Sequence, residues 1–152
     1  MTVKAYLQII LPRISYIYNS LSVMSKVVKV NFVDYRTSII RALDLAEAGD
    51  RLPKKGLIII KPNLTNSSPP PVTTSVEAAE AVYLYCKAHT TATIAIGEGC
   101  GSGRTPEVFA ALGYADMAKK YGLELIDFNQ AETTVLHNDN ALQLKHFHLP
   151  RI

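Results

Sequence analysis

Leu57-Ile58-Ile59-Ile60-Lys61-Pro62-Asn63 is the stretch on which the fold turns. A short, continuous apolar run is the mark of a strand covered on both faces, as parallel sheets require. Lys61-Pro62-Asn63 ends it abruptly. Upstream, Val27-Val28-Lys29-Val30-Asn31-Phe32-Val33 mixes β-branched residues with partial alternation, which predicts a strand with one packed face. Between the two, Ile39, Leu43 and Ala46 recur at helical spacing while Arg41, Asp44 and Glu47 occupy other faces. Gly49 is read as the left-handed residue that ends this helix, and Arg51–Gly56 as the turn into the apolar run.

Downstream, Pro69-Pro70-Pro71 stiffens a loop, and Thr74 and Glu77 have the spacing of a capping box that opens a helix. Val76, Ala79, Tyr83 and Cys86 form its core stripe. Thr91 to Ile96 is a third strand running into Gly97-Glu98-Gly99-Cys100-Gly101-Ser102-Gly103, after which Thr105 and Pro106 supply an N-cap and a first-turn proline. Glu107 to Tyr121 reads as helix broken near Gly113, and Leu123 to Ile126 as a fourth strand with Asp127 at its end. Thr133–His137 and Leu142–Leu149 suit a hairpin about Asn138-Asp139-Asn140.

Strand and helix alternating in this order predict an α/β fold: an open, mainly parallel sheet, Rossmann-like, with helices on both faces and a C-terminal β-hairpin. Residues 24–152 are assigned to that domain. Residues 1–23, which precede a second methionine at Met24, are set apart as an N-terminal extension with no function assigned.

With 152 residues and 48% apolar content, the chain builds a real core. Nine Lys/Arg against four Asp/Glu fall in residues 1–60, and seven against nine in the rest. That scatter lacks the basic stripe of a nucleic-acid binder, so nucleic acid is not expected as a partner. Pro12 and Arg13 interrupt the apolar stretch from Ala5 to Val23, which neither spans a membrane nor resembles an export signal. The expected location is therefore the cytoplasm, where Cys86 and Cys100 remain free thiols and the triplets Asn63-Leu64-Thr65 and Asn66-Ser67-Ser68 have no glycosylation role.

Ligands of open parallel sheets settle beyond the carboxyl ends of the strands, where loops converge with unsatisfied donors. That rule selects Lys61 and Asn63 after the second strand, Glu98 with the glycine loop after the third, and Asp127 after the fourth. Lys61 is a candidate anion partner or base, against a solvated lysine that merely ends a strand. Glu98 is a candidate acid, base or metal ligand, against a carboxylate that only accepts loop N–H bonds. Gly97, Gly99, Gly101 and Ser102 form a candidate cradle for phosphate or carboxylate, against a turn whose small residues permit tight packing. The loop fails the dinucleotide fingerprint, which needs glycine where Ser102 stands. It also misses the triphosphate loop, being one residue short with Arg104 in the place of lysine. Asp127 stands where a ribose-binding acid would, but without the fingerprint strand capping is favoured.

Cys100 is expected to be exposed enough to react, with no base beside it. His146 and His148 alternate on a strand and could share in a metal site with ligands from elsewhere, although a polar strand face is favoured and no metal ligand is assigned. His89 and His137 have no close partner in sequence.

Ile60-Lys61-Pro62-Asn63-Leu64, Val72-Thr73-Thr74 opening a helix, and Ile96-Gly97-Glu98-Gly99 form a series that continues through Gly113-Tyr114, Tyr121-Gly122 and Leu125-Ile126-Asp127. On these residues the chain from about Lys26 onward resembles the domain-of-unknown-function family 362. The resemblance implies that Lys61, Asn63, Thr73, Thr74, Glu98 and Gly99 belong to a site, and the family more often has aspartate at the place of Glu98. It implies too that this chain is the N-terminal half of a longer protein, whose second half adds strands and a lysine-plus-histidine segment. Some members are fused to ferredoxin-like segments. Two cysteines cannot hold a four-thiolate cluster, so no cofactor is expected in this chain itself.

The functional expectation is a domain holding a small anionic metabolite, with Lys61 and Glu98 as the reactive pair and Asn63, Thr73, Thr74, Gly97, Gly99, Gly101, Ser102 and Asp127 as ligand contacts. Against it stand a non-catalytic scaffold or truncated interaction domain without its own ligand, whose open sheet edge pairs with a partner or with a second copy of itself, and, on the resemblance alone, redox or metal chemistry contributed by a fused or separate iron–sulfur partner domain.

Overall fold

The computed structural model describes residues 26–152; the extension at 1–23 lies outside them. Three parallel strands form the sheet: β1 (Leu57–Ile60), β2 (Thr93–Glu98) and β3 (Glu124–Asp127), in the order β1-β2-β3. The register sets Ile60 against Ile96 and Glu98 against Asp127. α2 (Val76–His89) joins β1 to β2, while α3 (Thr105–Ala111) and α4 (Tyr114–Tyr121) join β2 to β3. α1 (Tyr35–Leu45) precedes the sheet and packs on α2. β4 (Thr133–His137) and β5 (His146–Pro150) make a separate antiparallel pair.

The chain is thus α/β with a C-terminal hairpin, as expected, but among the described residues its parallel sheet has three strands rather than four. Residues 27–33 form no strand, and Val27 and Val33 are exposed. β-branched composition fits a chain to a pleated, half-buried surface, and no described strand offers that run one. β1, expected to be covered on both faces, lies at an edge with only Ile60 buried. The central position belongs to β2, which is buried from Ile94 to Glu98.

Local chemistry shifts several element ends. α1 stops at Leu45, and Glu47, not Gly49, takes the left-handed conformation at φ 55°. Gly49 is needed for contact instead: its N–H donates to the Tyr85 hydroxyl at 3.0 Å, and an added Cβ would lie 2.6 Å from His89 Cδ2. α2 is capped by Ser75, whose hydroxyl accepts from Ala78 N, because Thr74 is bonded to Asn63. Arg104 rather than Thr105 occupies the N-cap of α3. Gly113, at φ +82°, breaks α3 from α4 as expected. The hairpin loop is longer than predicted, since Leu142 to Lys145 belong to the turn and β5 starts at His146.

The core runs from Ile60, Ile94 and Ile96 through Leu64 to Tyr83 and Cys86 of α2 and to Val108, Phe109, Tyr114 and Met117 of α3 and α4. Each fully buried side chain of the size of Leu64 or Ile96 contributes about 1.5–3 kcal/mol. Tyr114 buries its ring completely while its hydroxyl donates to Thr74 O at 2.9 Å, and burial pushes its phenol well above the usual range. The helix pair is thereby tied to the loop between β1 and α2.

Gly97 sits inside β2, where a Cβ would meet the Phe128 ring at 2.4 Å and Ile59 Cγ2 at 3.0 Å. Gly97→Ala is expected to lower stability by about 1–3 kcal/mol through overpacking. Urea unfolding measures this, and adding Phe128→Leu should return part of the loss; an unchanged midpoint in the single variant would contradict the packing.

Candidate functional site

The ends of β1 and β2 meet in one ion pair. Lys61 leaves β1 just past the Ile60–Ile96 register pair, and its Nζ lies 3.0 Å from Glu98 Oε2. The two side chains differ sharply in exposure, the lysine at 46% and the glutamate at 6%. A carboxylate so withdrawn from water is stable only if its oxygens are well supplied with donors. Three donors reach it: Lys61 Nζ and Leu64 N to Oε2, the latter at 3.1 Å, and Gly99 N to Oε1 at 2.8 Å. Among the described residues, no buried side-chain nitrogen or oxygen lacks a partner.

Behind this pair the β1–α2 loop closes on itself. Asn63 N donates to Thr74 Oγ1 and Thr74 N donates to Asn63 O, both at 2.9 Å. The Pro70–Pro71 peptide within this loop is cis. Thr73 is buried and turned away, its hydroxyl donating to Ser68 O at 2.7 Å. Of the residues picked from sequence, Lys61, Glu98 and Gly99 are in direct contact, and Asn63 and Thr74 brace the same loop. Thr73 serves the loop's interior. Asp127 pairs with Glu98 in register and accepts the Asn129 N–H at 2.9 Å, which is a strand-end turn.

The glycine loop is occupied by internal bonds. Gly99 N donates to Glu98, Cys100 N to Thr105 Oγ1 at 3.4 Å, and Ser102 N to Thr65 O at 2.9 Å. Gly99 has no room for a Cβ, which would fall 2.7 Å from Asn129 Oδ1. At Gly97 and Gly99, then, the small residues admit Phe128 and Asn129. Gly101 lies near the Thr65 hydroxyl, and Ser102 keeps an exposed side chain.

Cys100 is buried, contrary to the expectation of an accessible thiol, and burial pushes its thiol up, against thiolate formation. Sequence reading missed Asn129, whose Nδ2 donates to Cys100 O at 2.9 Å and so ties the β3 exit to the glycine loop. The Asp127-Phe128-Asn129 run after an apolar strand was its only local signal.

A family model described as "Domain of unknown function (DUF362)" matches residues 58–152, which include this whole arrangement. The chain belongs to the DUF362 family. No curated protein and no solved structure matches it. The Lys-Pro-Asn-Leu segment of this DUF362 chain combines two geometrical parts: Lys61 supplies a charge to Glu98, and Leu64, completely buried, supplies both a core side chain and an amide to the same carboxylate. Pro62 between them is buried.

Glu98→Gln keeps the volume but turns an NH₂ toward groups that are themselves donors. Whichever of the Leu64 and Gly99 amides faces the new NH₂ is expected to lose about tenfold or more of its hydrogen-exchange protection, in keeping with about 1–3 kcal/mol for an unsatisfied buried donor. Unchanged protection at both amides would contradict the role given to the carboxylate.

Proposed function

We propose that this DUF362 chain binds a small anionic ligand, phosphate or carboxylate, on the loops that follow its parallel strands, with Lys61 as the charged contact. The supporting observation is the unequal burial of the Lys61–Glu98 pair. Glu98 is held inside by three donors, while the ammonium beside it remains half exposed and an ammonium has three protons to give. A buried anion thus fixes the stem of a surface cation, which lowers the entropy lost when the cation orders on a ligand.

In this reading Lys61 touches the ligand and Glu98 positions Lys61. Asn63 and Ser102 are exposed polar residues of the two loops that follow β1 and β2. Gly97, Gly99, Gly101, Thr73, Thr74 and Asp127 build the frame. Any chemistry at the site would run through Lys61, as the ammonium that neutralises the anion or, once it has given up its proton, as a base. The sheet is read as the start of a Rossmann-like layer with helices on both faces, in a cytoplasmic protein whose partner is a second copy of itself or an iron–sulfur domain of the ferredoxin-like kind fused to some members of the family.

Isothermal titration of the full chain with inorganic phosphate, a nucleotide and a dicarboxylate tests this. Binding of at least one probe is expected, weakened about tenfold or more in Lys61→Ala, the scale of one charged hydrogen bond. Circular dichroism of the variant guards against unfolding. Negligible heats for all three with the wild type would remove the proposal.

A second reading, a scaffold that pairs with another chain, is favoured by the hairpin, where Leu136, Leu142, Leu144 and Leu149 are exposed. A concentration-dependent dimer in light scattering, together with absent heats, would select it over the first.

A further inference from the structure

The hairpin carries an arrangement that the anion site does not use. His137 and His146 are register partners across β4 and β5. Flanking bonds run from Asn138 N to Lys145 O and from Arg151 N to Glu132 O, so bonded pairs fall at 138/145 and 132/151. The alternation of an antiparallel ladder then makes His137/His146 a non-hydrogen-bonded pair, the kind whose side chains approach most closely. Their rings lie 4.3 Å apart by centroid, and the two Nδ1 atoms are 3.2 Å apart.

We infer that His137 and His146 are a two-histidine seat for a divalent transition-metal ion, with Asp139 as the carboxylate that orients His137. Two imidazole nitrogens bound to one tetrahedral zinc at 2.0–2.1 Å stand about 3.4 Å apart, close to the observed Nδ1–Nδ1 separation, and a small opening of the two rings brings both lone pairs onto one point. Asp139 Oδ1 lies 2.7 Å from His137 Nε2. A carboxylate can only accept there, so the proton of neutral His137 sits on Nε2 and the Nδ1 lone pair points at His146. A carboxylate behind a ligand histidine is the usual second partner of a metal-bound imidazole.

Without metal, the short Nδ1–Nδ1 approach is satisfied by His146 donating from Nδ1. Metal binding asks only that His146 carry its proton on Nε2 instead, which frees the second lone pair with no net change in protons. Among the described residues no group of three or more His, Cys, Asp or Glu gathers on one point. The remaining coordination positions are therefore left to water or to an outside ligand, and the ion is a borderline one that imidazole suits, such as zinc, nickel or copper(II).

The pairing differs from the one that strand alternation suggests. His148 shares the face of His146 but stands opposite Val135, with its Nδ1 3.4 Å from Thr133 Oγ1. That difference makes the assignment testable residue by residue.

The experiment is calorimetric titration of the full chain with Zn²⁺ alone in a non-coordinating buffer, with ¹H–¹⁵N spectra of the imidazoles read in parallel. One ion per chain is expected, with the His137 and His146 ring signals shifting together. His137→Ala and His146→Ala should each weaken binding tenfold or more, Asp139→Asn about tenfold, and His148→Ala should leave it within twofold. Because the hairpin is exposed, the ring spectra of each variant verify that it still forms. No Zn²⁺ heat with the wild type would overturn the inference, as would loss in His148→Ala with binding kept in His137→Ala.

Discussion

One buried carboxylate organises the carboxyl edge of the sheet. Glu98 ends the central strand almost out of contact with water, and a charge in that position must be matched by donors from its surroundings. Those donors come from both sides: Lys61 and Leu64 from the loop after β1, and Gly99 from the loop after β2. Satisfying one side chain therefore fixes two loops relative to each other. It also holds the Lys61 ammonium against the carboxylate while leaving it half exposed.

The β3 exit is drawn into the same construction without touching the carboxylate. Phe128 N donates to Glu98 O at 2.9 Å, the Phe128 ring covers Gly97, and Asn129 packs on Gly99 while holding Cys100 O. Small residues at 97 and 99 let a neighbouring segment approach the strand end closely. The Gly99, Cys100 and Ser102 amides of this loop are taken up by Glu98, Thr105 and Thr65, while the Lys61 ammonium stays half exposed at the edge. On the far side, Tyr114 joins the α3–α4 unit to the loop through Thr74 O.

Much of this was legible in the sequence, and the rest was not, for physical reasons. Ile58 to Ile60 and Ile94 to Ile96 announced strands, since continuous apolar runs bounded by glycine or proline have few other uses, and Lys61 and Glu98 followed from where those runs stop. Which strand lies at the centre did not follow, because apolar content alone does not say what covers it. Val27 to Val33 has the composition of a strand but no described neighbour to pair with. Thr74 and Thr105 had the spacing of caps, yet the Thr74 hydroxyl is taken by Asn63, eleven positions away, and that of Thr105 by Cys100 in the glycine loop and Asn129 beyond β3. The glycine loop invited an anion by its composition, whereas the need for glycine arises from Phe128 and Asn129, about thirty residues on. The His137–His146 pair was hidden for the same reason, since it depends on the hairpin register, and the loop is longer than the turn signal implied.

The central claim is that Lys61 and Glu98 act as one unit. A double-mutant cycle with Lys61→Met, Glu98→Gln and the combined variant, read by urea unfolding, isolates their coupling from the effects of each residue alone. With the lysine half exposed, a coupling of about 1 kcal/mol or more is expected, above the ~0.3–0.5 kcal/mol within which independent sites add. Simple additivity of the two single changes would contradict the account.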